Sequence, residues 1–248
     1  MYPVIKIGNL ELYTYTILMI VGICLGLLVV FLKLYKKEPL LEGKTIKFII
    51  CLFVGSIYTF LGAFLFDGLF HTIQKGTLSF GGITYLGGVV IGFPMTIISF
   101  RLLITKDFKK AISLFSLLIP GIILAHAIGR VGCFFGGCCY GAITDSWIGV
   151  KFPKLNYKVI PTQLIEAGFE LLLFILMTIF DKKIKGHQLE MYLIIYAIFR
   201  FIIEFYRGDS RGITGLSLSP GQLLSIVCLI CGMAIIIYKK RSSNEIRN

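Results

Sequence analysis

The chain has 248 residues, of which 56% are hydrophobic and only 15% are charged. A soluble domain carries about one quarter charged residues, so this composition excludes an ordinary soluble protein and indicates a membrane protein. The net charge of +12 does not indicate a nucleic-acid partner, because the lysines and arginines form short clusters between apolar runs rather than a continuous basic face. We expect no cleavable signal peptide, since no small-residue cleavage site follows the first apolar run.

Seven apolar segments approach the roughly 20 residues that a membrane-spanning helix needs. In chain order they are 14–32, 45–66, 84–104, 111–128, 162–180, 189–206 and 219–238. We therefore predict an all-α membrane protein with seven transmembrane helices in a single domain over residues 1–248. The spacing Gly-x-x-x-Gly at Gly22/Gly26 and Gly88/Gly92 indicates close helix packing. Pro94 and Pro120 lie inside predicted spans and are expected to kink them.

The basic residues between the spans predict the orientation. Segments 33–48, 101–110 and 181–188 and the C-terminal tail carry 16 lysines and arginines, whereas the alternate segments carry 8. The richer side is expected to be cytoplasmic, which places the N-terminus outside and the C-terminus inside. This orientation also places the segment Gly129–Gly141 at the outer face.

Charged residues inside the apolar spans are few. Arg200 and Glu204 lie four residues apart on one predicted helix face, and Arg207 follows three residues later. An internal ion pair between Arg200 and Glu204 is the simplest interpretation, because intramembrane charges usually pair. One arginine then remains, and with Arg130 it gives two cations that we expect to be unpaired near the outer interface. Two converging guanidinium groups suit a phosphate.

Polar residues also begin the fifth predicted span. Pro161 and Thr162 form a helix start, so part of the signal at Gln163 is capping. Glu166 lies about one turn inside the span, where a carboxylate needs a partner such as Arg130 or Arg200. Tyr15, one turn into the first span, fits an interfacial aromatic position on composition alone.

The segment Gly129–Gly141 reads G-R-V-G-C-F-F-G-G-C-C-Y-G and follows an apolar run directly. Its five glycines permit close backbone approach, and its arginine requires an anionic partner. We interpret it as the floor of a lipid head-group site.

Six stretches together resemble the prolipoprotein diacylglyceryl transferase family over nearly the whole chain. They are L-Y-T-Y (12–15), Y-L-G-G (85–88), G-R-V-G-x-F (129–134), P-T-Q-L-I-E (161–166), F-R-F-I-I-E-F-Y-R (199–207) and S-P-G-Q (219–222). The resemblance implies a multi-pass enzyme of the bacterial plasma membrane that requires no cofactor. Its expected partners are phosphatidylglycerol, surrounding membrane lipids and a prolipoprotein signal peptide with a lipobox cysteine. It would move a diacylglyceryl group from the lipid to the cysteine thiol and release glycerol phosphate.

The resemblance also implies roles for individual residues. Arg130 and Arg200 would hold the lipid phosphate, Tyr15 would be the essential tyrosine of the first span, and Glu204 would support the reaction. Substrate-binding roles are expected for a second set of residues: Gly129, Arg207, Gln163, Glu166, Gly87 and Gly88.

The chain departs from the family where the acceptor thiol would be activated. The family histidine of F-H-G-G is replaced by Leu86, so a direct assignment of the general base fails. The family's polar positions after the arginine become Cys133, Gly136 and Cys138, with Cys139 added beside them. Three interpretations of the cysteines remain open: structural, including a disulfide; nucleophilic; and metal-ligating, although only His126 lies nearby. We expect no metal, and we expect His126 to be a packed or interfacial residue.

Other functions also remain open at this point. The protein could be a paralogue with a different acceptor or lipid product, or a lipid-binding protein that keeps the arginine site without chemistry. A membrane thiol oxidoreductase built on the three cysteines is a weaker alternative, because their spacing is not C-x-x-C.

Overall fold

The structure is a computed structural model that describes residues 3–7, 10–37, 43–80, 82, 84–208 and 217–245. Arg211 and Arg247, which contribute to the charge comparison, lie outside these residues, as do the side chains of Lys36, Lys37 and Leu86.

Eight α-helices form the described part of the chain. They are α1 (Thr14–Lys37), α2 (Thr45–Lys75), α3 (Tyr85–Phe100), α4 (Phe108–Ser116), α5 (Ile119–Gly136), α6 (Thr162–Ile179), α7 (Gln188–Ile203) and α8 (Pro220–Glu245). A π-helical turn, Arg101–Thr105, continues α3, and a 3₁₀ turn, Glu204–Tyr206, continues α7. Two short antiparallel hairpins are additions to the predicted architecture: β1 (Val4–Ile7) with β2 (Leu10–Tyr13), and β3 (Val150–Lys151) with β4 (Lys158–Val159).

Six helical segments of the described chain are long and apolar enough to cross a membrane, so the protein is a multi-pass helical membrane protein. They are Thr14–Leu34, Thr45–Lys75, Gly87–Thr105, Ile119–Gly136, Thr162–Ile179 and Pro220–Ser242. The remaining predicted span, 189–206, corresponds to the 16 residues of α7 followed by the 3₁₀ turn.

The fourth predicted span, 111–128, does not form one helix. A turn at Leu117 and Leu118 divides it into α4 and α5. Pro120 lies at the start of α5, where a missing backbone N–H costs nothing, so it begins a helix instead of kinking one. Because α5 continues to Gly136, the first half of the segment Gly129–Gly141 is helical.

The chain folds into two compact units, each assembled from separate segments. The first contains the described residues of Met1–Lys36, Leu118–Ile184 and Phe205–Ser210. The second contains those of Lys37–Leu117, Lys185–Glu204 and Arg211–Asn248. That the whole chain acts as one domain stays a prediction.

In the first unit, α1 and α6 both pack against α5. A Cβ at Gly22 would lie 2.9 Å from the Ala125 carbonyl oxygen, and one at Gly26 would lie 2.6 Å from the Gly121 carbonyl oxygen. These contacts confirm that the first Gly-x-x-x-Gly pair serves close helix packing. An ion pair of 2.6 Å between Lys33 Nζ and Asp181 Oδ1 links the far ends of α1 and α6.

In the second unit, α2 packs against α3, and α7 packs against α8. A Cβ at Gly88 would lie 2.9 Å from the Thr59 carbonyl oxygen, and Gly92 also lies against Thr59, which confirms the packing role of the second glycine pair. A buried ion pair joins Glu190 on α7 to Lys239 on α8, with Nζ 2.7 Å from Oε1. Buried charges paired in this way are tolerated inside a helix bundle.

Candidate active site

Four titratable side chains form a largely buried ladder between α5 and α6. His126 and Arg130 lie one turn apart on α5, and they face Glu166 and Glu170, one turn apart on α6. Arg130 Nη2 forms an ion pair with Glu166 Oε2. His126 Nδ1 lies 2.9 Å from Glu170 Oε1, while its Nε2 lies 3.9 Å from Glu166 Oε1. The expectation that Arg130 is unpaired is therefore wrong, whereas the expected partner for Glu166 is confirmed.

The ion pair with Glu166 orients the Arg130 guanidinium. A guanidinium has five N–H groups in a fixed fork, and one carboxylate engages only part of that set. Arg130 is 8% exposed and Glu166 is 1% exposed, so both are held in a largely dry environment. A buried guanidinium oriented in this way is suited to an anionic ligand.

The three cysteines of Gly129–Gly141 converge at the end of α5. Cys133 lies in the last turn of the helix, and Cys138 and Cys139 lie in the loop that follows. Their Sγ atoms all lie within 4.8 Å of one another, and all three thiols are free. Two left-handed residues, Gly137 (φ +70°) and Cys139 (φ +64°), turn the loop back toward the helix. A left-handed cysteine is uncommon, and such backbone positions often occur at functional sites.

The first turn of α6 holds this loop in place. Gln163 Nε2 donates to the Cys138 carbonyl oxygen at 2.6 Å, and Thr162 Oγ1 donates to the Cys139 carbonyl oxygen at 3.0 Å. Both side chains are fully buried. The helix starts at Thr162 as predicted. The side chains of Thr162 and Gln163 form hydrogen bonds with the cysteine loop and do not cap the helix.

The end of the loop is a strand-like segment held on both sides. Gly141 N donates to the Ile160 carbonyl oxygen at 2.8 Å, and Ala142 N donates to the Tyr206 carbonyl oxygen at 2.8 Å. A Cβ at Gly141 would lie 2.6 Å from that Tyr206 oxygen, so glycine is required there. Arg207 forms a β-bridge with Gly141 and does not continue the face of α7 as predicted.

Tyr15 lies against α5 beside the cysteines. A Cβ at Gly132 would lie 3.3 Å from Tyr15 Cδ2, and one at Gly136 would lie 3.7 Å from Tyr15 Cβ. The two glycines are four residues apart on one face of α5, and Tyr15 packs against that face. Its phenol interacts electrostatically with all three cysteines and with Arg130. The first unit therefore brings together Tyr15, Arg130, the cysteines, Gln163, Glu166 and Arg207.

The surroundings of Cys139 favour its thiolate. Hydrogen bonds with the Cys133 thiol, and then with the Cys138 thiol, hold the pKa of Cys139 below its ordinary value. The positive charges of Arg130 and Arg207 act in the same direction. The loop is therefore suited to present sulfur as an anionic ligand or nucleophile.

Arg200 belongs to the second unit, where it is buried on α7. Its Nη2 lies 2.6 Å from Glu204 Oε2, which confirms the predicted pair. Ser219 Oγ donates to the other carboxylate oxygen of Glu204 at 3.0 Å. Because Arg130 lies in the first unit, the convergence of the two arginines on one phosphate stays a prediction.

The S-P-G-Q stretch is the start of α8. Ser219 N donates to Gln222 Oε1 at 3.0 Å, and Gln222 N donates to Ser219 Oγ at 3.1 Å. This reciprocal pair is a capping box, with Pro220 at the first helical position. A Cβ at Gly221 would lie 2.8 Å from Glu204 Oε1, so the glycine makes room for the carboxylate that binds Arg200.

The three glycines expected to bind substrate have different surroundings. Gly87 and Gly88 pack α3 against α2, and a Cβ at Gly87 would lie 2.6 Å from Phe66 Cβ. Helix packing therefore accounts for both. A Cβ at Gly129 would meet no atom of the described protein within 4 Å, so protein packing does not require this glycine. Gly129 is the one of the three whose open side leaves room for a ligand.

Two of the ladder residues were missed or undervalued in the sequence. Glu170 was not singled out, although it lies four residues after Glu166 on the same helix face. His126 was expected to be a packed or interfacial residue, and it contacts a buried carboxylate. The i, i+4 spacing of His126 to Arg130 and of Glu166 to Glu170 is the signal that could have revealed the ladder.

The sequence is similar to known proteins over most of its length. Residues 3–238 match the family model described as prolipoprotein diacylglyceryl transferase. The chain belongs to this family. A curated relative from Clostridium perfringens, named phosphatidylglycerol–prolipoprotein diacylglyceryl transferase 2, is 34% identical over 247 residues, which cover 93% of this chain and 92% of the relative.

Two further relatives bear the name phosphatidylglycerol–prolipoprotein diacylglyceryl transferase. The protein from Clostridium tetani is 29% identical and covers 95% of this chain and 96% of its own length. The protein from Finegoldia magna is 30% identical and covers 95% of both chains. The resemblance to the transferase family therefore extends over nearly the whole chain.

Proposed function

We propose that the protein transfers a diacylglyceryl group from phosphatidylglycerol to the cysteine thiol of a prolipoprotein. One structural observation carries the proposal: the buried guanidinium of Arg130 is oriented by Glu166 and interacts electrostatically with Tyr15. The relatives named for this reaction match nearly the full length of the chain. The proposed setting is the plasma membrane of a bacterium.

The proposed topology has seven spans, with the N-terminus outside and the C-terminus inside. The 16 residues of α7 span about 24 Å, and the three-residue 3₁₀ turn adds about 6 Å. The sum matches the roughly 30 Å hydrocarbon core, so α7 and its turn serve as the seventh span. In this orientation the end of α5, the start of α6, the end of α7 and the start of α8 all lie at the outer face. The charge difference between the two sides supports this direction.

In this mechanism Arg130 and Arg200 bind the phosphate of the lipid. Each guanidinium is oriented by a carboxylate, Glu166 or Glu204, and donates N–H groups of its fork to the phosphate. Glutamates that orient the arginines keep the site close to electrically neutral before the lipid arrives. This arrangement limits the cost of keeping two cations within the membrane.

The reaction is a substitution at a saturated carbon. The acceptor sulfur, as a thiolate, attacks the glycerol carbon that carries the phosphate ester, and the carbon–oxygen bond breaks. The electron pair leaves on the phosphate oxygen of glycerol phosphate, where negative charge increases. Guanidinium groups aimed at that oxygen stabilise the transition state more than the bound lipid. Tyr15 and Gly129 are proposed to border the lipid head group.

A transfer assay with purified protein tests this proposal. The protein is incubated with phosphatidylglycerol and a lipobox peptide, and the peptide is analysed by mass spectrometry. We expect a thioether-linked diacylglyceryl peptide together with free glycerol phosphate. Arg130→Ala and Arg200→Ala should each abolish the product. Arg101→Ala is the matched control, because Arg101 lies exposed on the π-helical turn and its guanidinium faces the Phe108 ring.

The result also separates the alternative functions. Binding of phosphatidylglycerol without product would identify a lipid-binding protein and would contradict the proposed transfer. Equal activity in the two arginine variants and the Arg101→Ala control would contradict the assigned phosphate site.

A further inference from the structure

The acceptor thiol must lose its proton before it can attack, and Leu86 cannot remove it. A free thiol has a pKa of about 8.5, so only a few per cent is ionised near neutral pH. The three cysteines at the end of α5 offer a different means of activation. Coordination to a metal ion deprotonates a thiol outright, without a general base.

We propose that Cys133, Cys138 and Cys139 bind one Zn²⁺ ion, and that the acceptor cysteine of the prolipoprotein occupies the fourth coordination position as a thiolate. This inference rests on the proposed transferase function and departs from the expectation that the protein binds no metal. Three protein ligands with an open fourth position are typical of catalytic zinc sites.

The distances between the sulfur atoms fit such a site. Zinc–sulfur bonds of about 2.3 Å in a tetrahedron place the sulfurs roughly 3.8 Å apart. The three Sγ atoms here lie within 4.8 Å of one another. Side-chain rotations that move the sulfur atoms by about 1 Å would therefore bring them to the separation that zinc requires. The ligands are one residue on a helix and two adjacent residues on a loop, which approach from different directions.

The backbone that carries the ligands is already fixed by its neighbours. Buried Gln163 and Thr162 hold the carbonyl groups of Cys138 and Cys139, and Cys138 N donates to the Cys133 carbonyl oxygen at 3.2 Å. Outer interactions of this kind orient metal ligands and raise affinity. Cys139 has a left-handed backbone, and its sulfur lies within 4.8 Å of the other two. Backbone strain of this kind often occurs at functional sites.

The charges around the sulfurs also suit the complex. Zn²⁺ with three thiolates has a net charge of −1, and a fourth thiolate makes it −2. The guanidinium groups of Arg130 and Arg207 both act on Cys139 electrostatically and offset this charge. Cys138 is exposed, while Cys133 and Cys139 are partly exposed, so an incoming peptide can reach the ion.

Competing uses of the cysteines fit the chemistry less well. A covalent relay through Cys139 would place the diacylglyceryl group in a thioether, which a second thiol does not readily displace. A disulfide would join two of the three cysteines and would not account for the position of the third sulfur. Metal binding uses all three at once.

The step balances without an oxidant or reductant. The acceptor thiol releases its proton to solvent as its sulfur binds Zn²⁺. The coordinated sulfur then donates an electron pair to the lipid carbon, and the carbon–oxygen pair leaves with glycerol phosphate. Zinc keeps its charge of +2 throughout. The thioether product is a neutral, weaker ligand than a thiolate and dissociates from the ion.

The first test measures metal content in full-length protein purified anaerobically under reducing conditions. Elemental mass spectrometry should find close to one zinc per chain. Cys133→Ser, Cys138→Ser and Cys139→Ser should each lower this value severalfold, whereas Cys231→Ser should not, because Cys231 lies exposed on α8 in the second unit. No bound zinc in the wild-type protein, or equal zinc in all four variants, would overturn the proposal.

The second test reports the fourth ligand and does not depend on the variants folding. Cobalt replaces zinc in the wild-type protein, and its visible absorption reports geometry and thiolate ligation. A lipobox peptide should intensify the thiolate-to-cobalt absorption, whereas the same peptide with serine in place of cysteine should not. An identical response to both peptides would overturn the proposed role of the fourth position.

A third measurement separates this inference from the transferase function itself. Removal of zinc with a chelator should abolish peptide modification, and added Zn²⁺ should restore it. Full transfer by metal-free protein would refute the proposed role of zinc in activating the acceptor thiol and leave the proposed function intact. Zinc and cobalt signals as expected, but with no transfer under any condition, would contradict the transferase function and leave the metal site standing.

Discussion

Arg130 on α5 forms an ion pair with Glu166 on α6, and both side chains are buried. The pair makes one residue of the proposed phosphate site depend on a carboxylate from the neighbouring helix. Breaking a buried ion pair leaves an uncompensated charge, whereas removing both partners leaves none. Structural and catalytic roles of Arg130 can therefore be separated by mutation.

We expect Glu166→Leu to lower the free energy of unfolding by about 3–5 kcal/mol, because Arg130 then stays buried without its carboxylate. The double variant Arg130→Leu/Glu166→Leu should recover most of that loss but remain inactive. The midpoint of thermal unfolding in detergent checks the stabilities, and the transfer assay checks the activity, with Glu11→Gln in the exposed Lys6–Glu11 pair as a control of little effect. A double variant as unstable as the sum of the single variants would contradict the coupling.

His126 is expected to act through Glu170 and not as the base for the acceptor thiol. His126→Gln can keep a hydrogen bond to the Glu170 carboxyl group, so transfer should fall by less than about tenfold. His126→Phe leaves a buried carboxyl group without this partner and should cost about 1–3 kcal/mol of stability. Rates and unfolding midpoints of the two variants provide the check. Complete loss of transfer in a stable His126→Gln protein would instead identify His126 as the base.

Gly221→Ala should destabilise the second unit. The new Cβ would lie 2.8 Å from the Glu204 carboxylate, which must then shift away from Ser219 or Arg200. We expect a loss of about 1–3 kcal/mol, typical of overpacking. Gly168→Ala on α6 is a matched control, since its Cβ meets no described atom within 4 Å and alanine favours a helix by up to about 1 kcal/mol. Equal unfolding midpoints for the two variants would show that a Cβ at position 221 does not displace the Glu204 carboxylate.

Gly129→Leu should weaken the binding of phosphatidylglycerol without lowering the unfolding midpoint. A Cβ at Gly129 would meet no described atom within 4 Å, and the unfolding midpoint reports whether the whole leucine side chain is accommodated. A loss of affinity at an unchanged midpoint would then report a lipid in that space. Gly168→Leu places the same side chain at another open glycine and should leave affinity unchanged. Equal lipid affinity in wild-type, Gly129→Leu and Gly168→Leu proteins would exclude Gly129 from the lipid site.

Much of the helical architecture could be predicted from the sequence, because long apolar runs in a membrane protein have few alternatives to helix. The prediction for α6 differs from the structure by one residue, and that for α2 matches at its start. The turn at Leu117 and Leu118 was missed because both residues are apolar and hydropathy does not change there. Pro120 carried the signal, since proline favours the first helical turn.

The candidate site was only partly predictable. A buried carboxylate implies a partner, so the pairing of Glu166 followed from its depth in the span. The convergence of the cysteines did not follow, because it requires a left-handed backbone at Cys139, which residue type does not indicate. The capping box at Ser219 and Gln222 was visible as S-x-x-Q but was read only as part of the family resemblance.

The most direct measurement of the central claim is a double-mutant cycle on the affinity for phosphatidylglycerol with Arg130→Ala, Arg200→Ala and the double variant. If both guanidinium groups hold one phosphate, each single variant should lose at least tenfold in affinity, and the double variant should depart from additivity by more than about 0.5 kcal/mol. Diacylglycerol, which lacks the phosphate, should bind all four proteins alike. Additive losses, or an arginine variant with wild-type affinity, would contradict a shared phosphate site.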